Sequence, residues 1–158
     1  MKHSLKTGIC FGLTSGIITT LGLMTGLEAG TNSKLAVLGG IVTIAIADAF
    51  SDALGIHVSE ESENRHTGRE IWESTAGTFI AKFLTASSFA IPVIFLDLRA
   101  AVYVSIVWGL LLLSALSIYL AREQKKNVWR VAAEHVCIAV IVIVSAHCIG
   151  LWISATFV

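Results

Sequence analysis

The stretch LAVLGGIVTIAIADAFSDALGIHVSEESE, residues 35–63, sets Asp48 and Asp52 inside an otherwise apolar run and ends in a burst of glutamates. From Leu35 to Val58 it is long enough to cross a bilayer core of about 30 Å as a helix, which takes roughly 20 residues. A charged carboxylate at the centre of such a helix costs about 2.5–3.5 kcal/mol on insertion scales. Residues kept there against that cost face a bundle interior or a path, and they mark function.

The rest of the chain agrees with a membrane reading. Its 158 residues are 55% hydrophobic and 14% charged, with a mean hydropathy of +0.80. A soluble domain carries about 25% charged residues. Apolar runs at about 7–27, 78–96, 100–120 and 131–156 join the 35–63 segment. In lipid the backbone must satisfy its own polar groups, so these runs are expected as helices. The expected fold is therefore all-α, a polytopic membrane protein with five transmembrane helices and one transmembrane domain over 1–158. No internal repeat is visible. The first run is too long for the apolar core of a signal peptide. In a prokaryote the membrane would be the cell membrane.

Lysine and arginine orient the helices. With the N-terminus cytoplasmic, the inside receives Lys2, Lys6, Arg65, Arg69, Lys82, Arg122, Lys125, Lys126 and Arg130, and the outside only Lys34 and Arg99. That bias favours an N-terminus inside and a C-terminus outside. Lys82 counts as inside on the expectation that it lies in the first turns of the third helix and snorkels to the surface. Trp72, Trp129 and Trp152 fall near the expected interfaces. The formal net charge of zero suggests no nucleic-acid partner.

Asp48 and Asp52 lie about 40° apart on a helical wheel at roughly 100° per residue. Continuing their face gives Gly55, Ser59 and Glu63, a polar stripe running from mid-membrane to the cytoplasm. Paired carboxylates with oxygen ligands suit a hard divalent cation or a proton relay. The plainer alternative is a pair of protonated acids hydrogen-bonded between helices. Glu60, Glu61 and Glu63 would form an acidic mouth that attracts cations, or simply a solvated helix end. His57 lies off the stripe, as a packed or solvated histidine at the helix end. In the first run, Gly8, Gly12 and Gly16 repeat a small-residue step that lets helices pack closely, within or between chains. Ser15, Thr19 and Thr20 give that helix polar edges. Glu134, Cys137, Ser145 and Cys148 share a rough face of the last helix, with His135 and His147 beside it, but Cys10, Cys137 and Cys148 read as reduced, buried thiols. No nucleophile triad, nucleotide loop or HExxH is present, so the chain does not read as an enzyme.

Two stretches carry a family likeness. GLTSGIITTLGLMTGL, residues 12–27, resembles the first helix of the vacuolar iron transporter family, with its pattern close to G-x-x-D-G-[IV]-x-T-T-[LF]. In the second helix Ala47, Ala49, Ser51, Leu54, Gly55, Ser62 and Glu63 match the family pattern without a gap. The third run with Pro92, and VWRVAAEHVCIAVIVIVSAHCIGLWIS at 128–154, resemble later family helices. The resemblance implies five helices and a homodimer with a path between the first and second helices of its two subunits. It also implies export of Fe2+ and often Mn2+ from the cytosol in exchange for protons. The family's first-helix aspartate is Ser15 here, and Asp48 and Asp52 stand where the family has glycine and methionine. Of the long glutamate-rich cytoplasmic domain only the short connection at 59–75 remains, with His66 beside the glutamates. The expected metal ligands are Asp48, Asp52, Glu60, Glu63 and Ser15. Metal and protons are the expected partners, with lipid around the helices and no cofactor beyond the transported ion. Four unpaired carboxylates, two from each subunit, could not all stay ionised in so poorly solvated a place, so a divalent cation or protons must relieve them. A carrier of protons or small ions, or a membrane protein that binds metal without transporting it, would use the same aspartates.

Overall fold

The computed structural model describes residues 3–157; Lys2, counted above among the inside charges, lies outside them. Among the described residues every regular element is helical. Five helices are long and apolar enough to span a membrane: α1 His3–Thr31, α2 Lys34–Ser62, α3 Gly68–Phe95, α4 Leu98–Glu123 and α5 Val128–Phe157. Their outer faces carry exposed apolar side chains such as Leu54, Ile80, Leu111 and Ile141. Water would not tolerate such a surface, and lipid is its natural solvent. The chain is a multi-pass integral membrane protein.

Local signals set the helix ends. Ser33 accepts a hydrogen bond from the Ala36 amide at the start of α2, and Asp97 from the Ala100 amide at the start of α4. Asn32, Asn64 and Lys125 take left-handed φ values of 47°, 51° and 53° just past the ends of α1, α2 and α4, the usual way to stop a helix. Thr67 and Glu70 close a capping box that starts α3 at Gly68. This start differs from the one expected near Thr78. The polar residues 69–75 looked like a loop, but Arg69 and Glu73 pair at 2.8 Å along the helix surface, so the run is helix that protrudes beyond the apolar zone. The shift puts Lys82 midway along α3 instead of at its edge. Further on, α3 breaks at Phe89. Pro92 accounts for the break, since its ring crowds the carbonyl four residues earlier and supplies no N–H to it.

The central contact is between α1 and α3. A Cβ placed on Gly8 would overlap the Ser74 carbonyl oxygen, and one on Gly12 the Thr78 carbonyl oxygen. One on Gly16 would come within 3.3 Å of the Lys82 carbonyl oxygen. Successive turns of α1 thus rest directly on the backbone of α3, and the Thr78 hydroxyl donates to the Gly8 carbonyl at 3.1 Å. The sequence-level expectation put these glycines near a two-fold axis between subunits; the structure uses them inside the chain. On the other side of α1, Gly26 and Gly150 bring α5 in by the same device.

Contacts at the ends sort the charges. Lys6 pairs with Glu123, and the Ser4 hydroxyl lies 3.1 Å from His66 Nδ1. These contacts gather the start of α1, the α2–α3 connection and the end of α4. At the opposite end, the Lys34 ammonium donates to the Ile94 and Leu96 carbonyls at 3.1 and 2.9 Å, where cations favour the end of a helix.

Gly12→Ala should lower stability by about 1–3 kcal/mol through overpacking, read as a drop in thermal midpoint in detergent micelles. Gly39→Ala, where an added Cβ meets nothing within 4 Å, should leave the midpoint unchanged or slightly raised.

Candidate functional site

Three helices meet at their middles. Ser15 on α1, Asp48 and Asp52 on α2, and Lys82 on α3 each lie about halfway along their spans. The Lys82 ammonium is 2.5 Å from Asp48 Oδ2 and 2.6 Å from Asp52 Oδ2, and it donates to Ser15 Oγ at 3.0 Å. Of its three donors, the ammonium gives one to Ser15 and one to Asp52, and it holds Asp48 as an ion pair. Lys82 is fully buried, while the side chains of Asp48 and Asp52 keep 37% and 19% of their exposure.

The backbone contributes to this arrangement. From Ile44 to Asp48, α2 widens into a π-turn, a rare form that concentrates at functional sites. On the α3 side, the glycine steps of α1 hold the backbone at Lys82 close enough for Ser15 to reach its ammonium. Removing the partners of a buried charge costs about 3–5 kcal/mol, so the trio is energetically interdependent.

This geometry corrects two expectations. The aspartates are not unpaired: Lys82 sits between them, so its charge is not a cytoplasmic-edge charge and does not belong in the inside count. The polar stripe also turns differently. Gly55, Ser59 and Glu63 lie on the exposed side of α2, and the buried face runs from Asp52 to Glu60 instead. Glu60 is 7% exposed and accepts a hydrogen bond from the Ser74 hydroxyl at 2.7 Å. It is therefore tucked against α3 and not displayed at an open mouth. Glu61 and Glu63 remain exposed, with Glu63 3.6 Å from His66 Nε2. Of the five expected ligands, Asp48, Asp52 and Ser15 come together, while Glu60 and Glu63 have other partners, Ser74 and His66.

His57, Glu134 and His135 have structural partners. His57 Nδ1 lies 3.0 Å from the Thr75 hydroxyl, with its ring edge-on to Trp72. Glu134 pairs with Arg130 at 3.0 Å, and His135 Nδ1 lies 2.7 Å from the Ser117 hydroxyl. Cys137 and Cys148 are free but exposed on α5, not buried as expected, because that helix turns most of its surface outward. Among the described residues no three or more His, Cys, Asp or Glu side chains gather as a metal-holding group. Sequence reasoning missed Lys82 as a site residue. The signal was there in Thr67 and Glu70: a capping box at that spacing starts α3 early and carries Lys82 to mid-membrane.

Residues 7–76 match the model of the VIT family. The match covers a little under half of the chain and makes that part similar to the VIT family. It takes in α1, all of α2 with both aspartates, and the first turns of α3; Lys82 lies just beyond it. No curated protein matches the chain. The likeness over these residues suggests a metal transporter in general, in keeping with the resemblance to vacuolar iron transporters.

Replacing both aspartates, as Asp48→Asn with Asp52→Asn, strands the Lys82 ammonium and should cost about 3–5 kcal/mol. Adding Lys82→Met should recover most of that loss. Denaturant unfolding in micelles, comparing wild type, double and triple variants, measures both effects.

Proposed function

We propose that this chain carries divalent transition-metal ions, Fe2+ or Mn2+, out of the cytosol through a site built on Asp48, Asp52 and Ser15. The observation that carries the reading is the convergence of two carboxylates and a hydroxyl on one cationic group midway across apolar helices. Oxygen donors of this kind suit hard and borderline divalent cations. An ionisable cluster at mid-membrane is the usual mark of an ion pathway. Asp52 stands where the resemblance places a methionine, so the preference should lean toward ions content with oxygen, Mn2+ among them.

Assembly as a homodimer belongs to this reading. The glycines of α1 are occupied by α3, so a second copy would meet the outward face of α2, where Ala47, Ser51 and Gly55 are exposed. Asp48, the more open of the two carboxylates, would then face its counterpart across the axis. Glu60 and Glu63 would act from the cytoplasmic side, Glu60 as a buried intermediate acceptor and Glu63 as surface charge.

Proton exchange was expected because bare carboxylates need relief when the metal leaves. Lys82 removes that ground within one chain, and proton coupling then rests on the resemblance alone. A second reading, a carrier of protons or of a monovalent cation, is favoured by the absence of a three-ligand group among the described residues.

Metal flux into proteoliposomes, with a panel of Fe2+, Mn2+, Co2+, Zn2+ and Mg2+ and with or without a pH gradient, tests these readings. Asp48→Asn or Asp52→Asn should abolish divalent flux, whereas Glu60→Gln should only slow it. Normal divalent flux in both aspartate variants would overturn the mechanism, and flux of monovalent ions or protons alone would select the second reading.

The orientation proposed is N-terminus inside. Lys6, Arg65, Arg69, Arg122, Lys125, Lys126 and Arg130 on the cytoplasmic side support it against Lys34 and Arg99 outside. Cysteines introduced at Asn64 and Asn32 should be labelled from opposite faces of the membrane, Asn64 from the cytoplasmic one.

A further inference from the structure

We propose that Lys82 is a tethered cation that takes turns with the transported metal at Asp48 and Asp52, so that the empty site is neutralised by the protein itself. The inference rests on the metal-transport reading above and deepens it by naming the residue that sets affinity and release.

The argument begins with position. Asp48 Oδ2, Asp52 Oδ2 and Ser15 Oγ surround one nitrogen at 2.5, 2.6 and 3.0 Å. These are the oxygens a metal would need, and the ammonium already holds one from each side chain. A divalent ion bound to the remaining carboxylate oxygens would sit beside the buried ammonium, where repulsion is poorly screened. The two cations therefore exclude each other at this site.

Charge counting sets the consequence. Within one chain, two carboxylates and one ammonium sum to −1, short of the −2 that would neutralise a divalent ion held by that chain. With the ammonium withdrawn the site carries −2 and matches the ion. Lys82 thereby weakens metal binding, and it provides the counter-charge at the moment the metal departs. A transport site must bind well enough to load and weakly enough to empty. A competitor fixed to α3 by its own backbone meets that requirement at the same effective concentration in every cycle.

Other features of the chain do not supply this role. Lys6 and Lys34 are engaged at the two ends of the bundle. Arg69 and Arg130 are paired on the surface of their own helices.

The test is Mn2+ binding to the full-length protein in micelles, followed by the loss of the free-ion electron paramagnetic resonance signal. Lys82→Gln and Lys82→Met should bind Mn2+ at least about tenfold more tightly than wild type, and adding Asp52→Asn should cancel the gain. A merely structural lysine would give the opposite result, since damage to a site lowers affinity. Equal or weaker binding by folded Lys82 variants overturns the proposal while leaving the transport reading in place. Absence of Mn2+, Fe2+ and Co2+ binding in wild type and variants alike overturns the transport reading and this proposal with it. If neither variant folds, the wild-type chain decides through isotope-labelled lysine: saturation with diamagnetic Zn2+ should shift the Lys82 Nζ resonance, and an unmoved resonance under demonstrated binding overturns the proposal.

Discussion

A buried ammonium shared by two carboxylates organises this membrane protein. Isolated in an apolar span, any of the three charges would be costly. Together they satisfy one another, and the Ser15 hydroxyl completes the set. Because the three charged groups come from only two helices, α2 and α3 are tied at mid-membrane by charge as well as by packing. Buried ion pairs are weak evidence for stability in themselves, since an apolar trio of the same volume could do as well.

That arrangement depends on how closely α1 can approach α3. The steps at Gly8, Gly12 and Gly16 bring it onto the carbonyls of Ser74, Thr78 and Lys82. Without a hydrophobic driving force between helices in lipid, packing of this kind is what holds membrane helices together. The same ladder sets two polar contacts in register with it. Ser74, opposite Gly8, donates to Glu60, and Lys82, opposite Gly16, reaches Ser15 and the aspartates. Glycine spacing on one helix thus positions the polar chemistry of the two others.

The VIT-family match and the geometry meet in α2. The matched region holds both aspartates and ends before Lys82, so the residue that most changes the site's electrostatics lies outside that match. A site with its own cation differs in charge from one with bare carboxylates, and the need for protons as counter-ions differs accordingly. The π-turn ending at Asp48 belongs to the same local specialisation, since a rarely used backbone form appears where the carboxylates must be aimed.

The helix count, the membrane setting and the mid-membrane placement of Asp48 and Asp52 were legible in the sequence, because hydropathy and the cost of burying charge act residue by residue. The glycine steps were legible as a close-packing face, but their partner was not: small residues advertise an approach without saying which helix makes it. The start of α3 was readable from Thr67 and Glu70, yet the polarity of residues 69–75 masked it, since protruding helix and loop look alike in composition. What only the tertiary structure decided is the pairing. Whether Lys82 reaches water or a carboxylate, and whether Glu60 or Glu63 continues the buried face, depends on helix rotation and depth. Those are set by contacts between residues far apart in the chain, which no local pattern encodes.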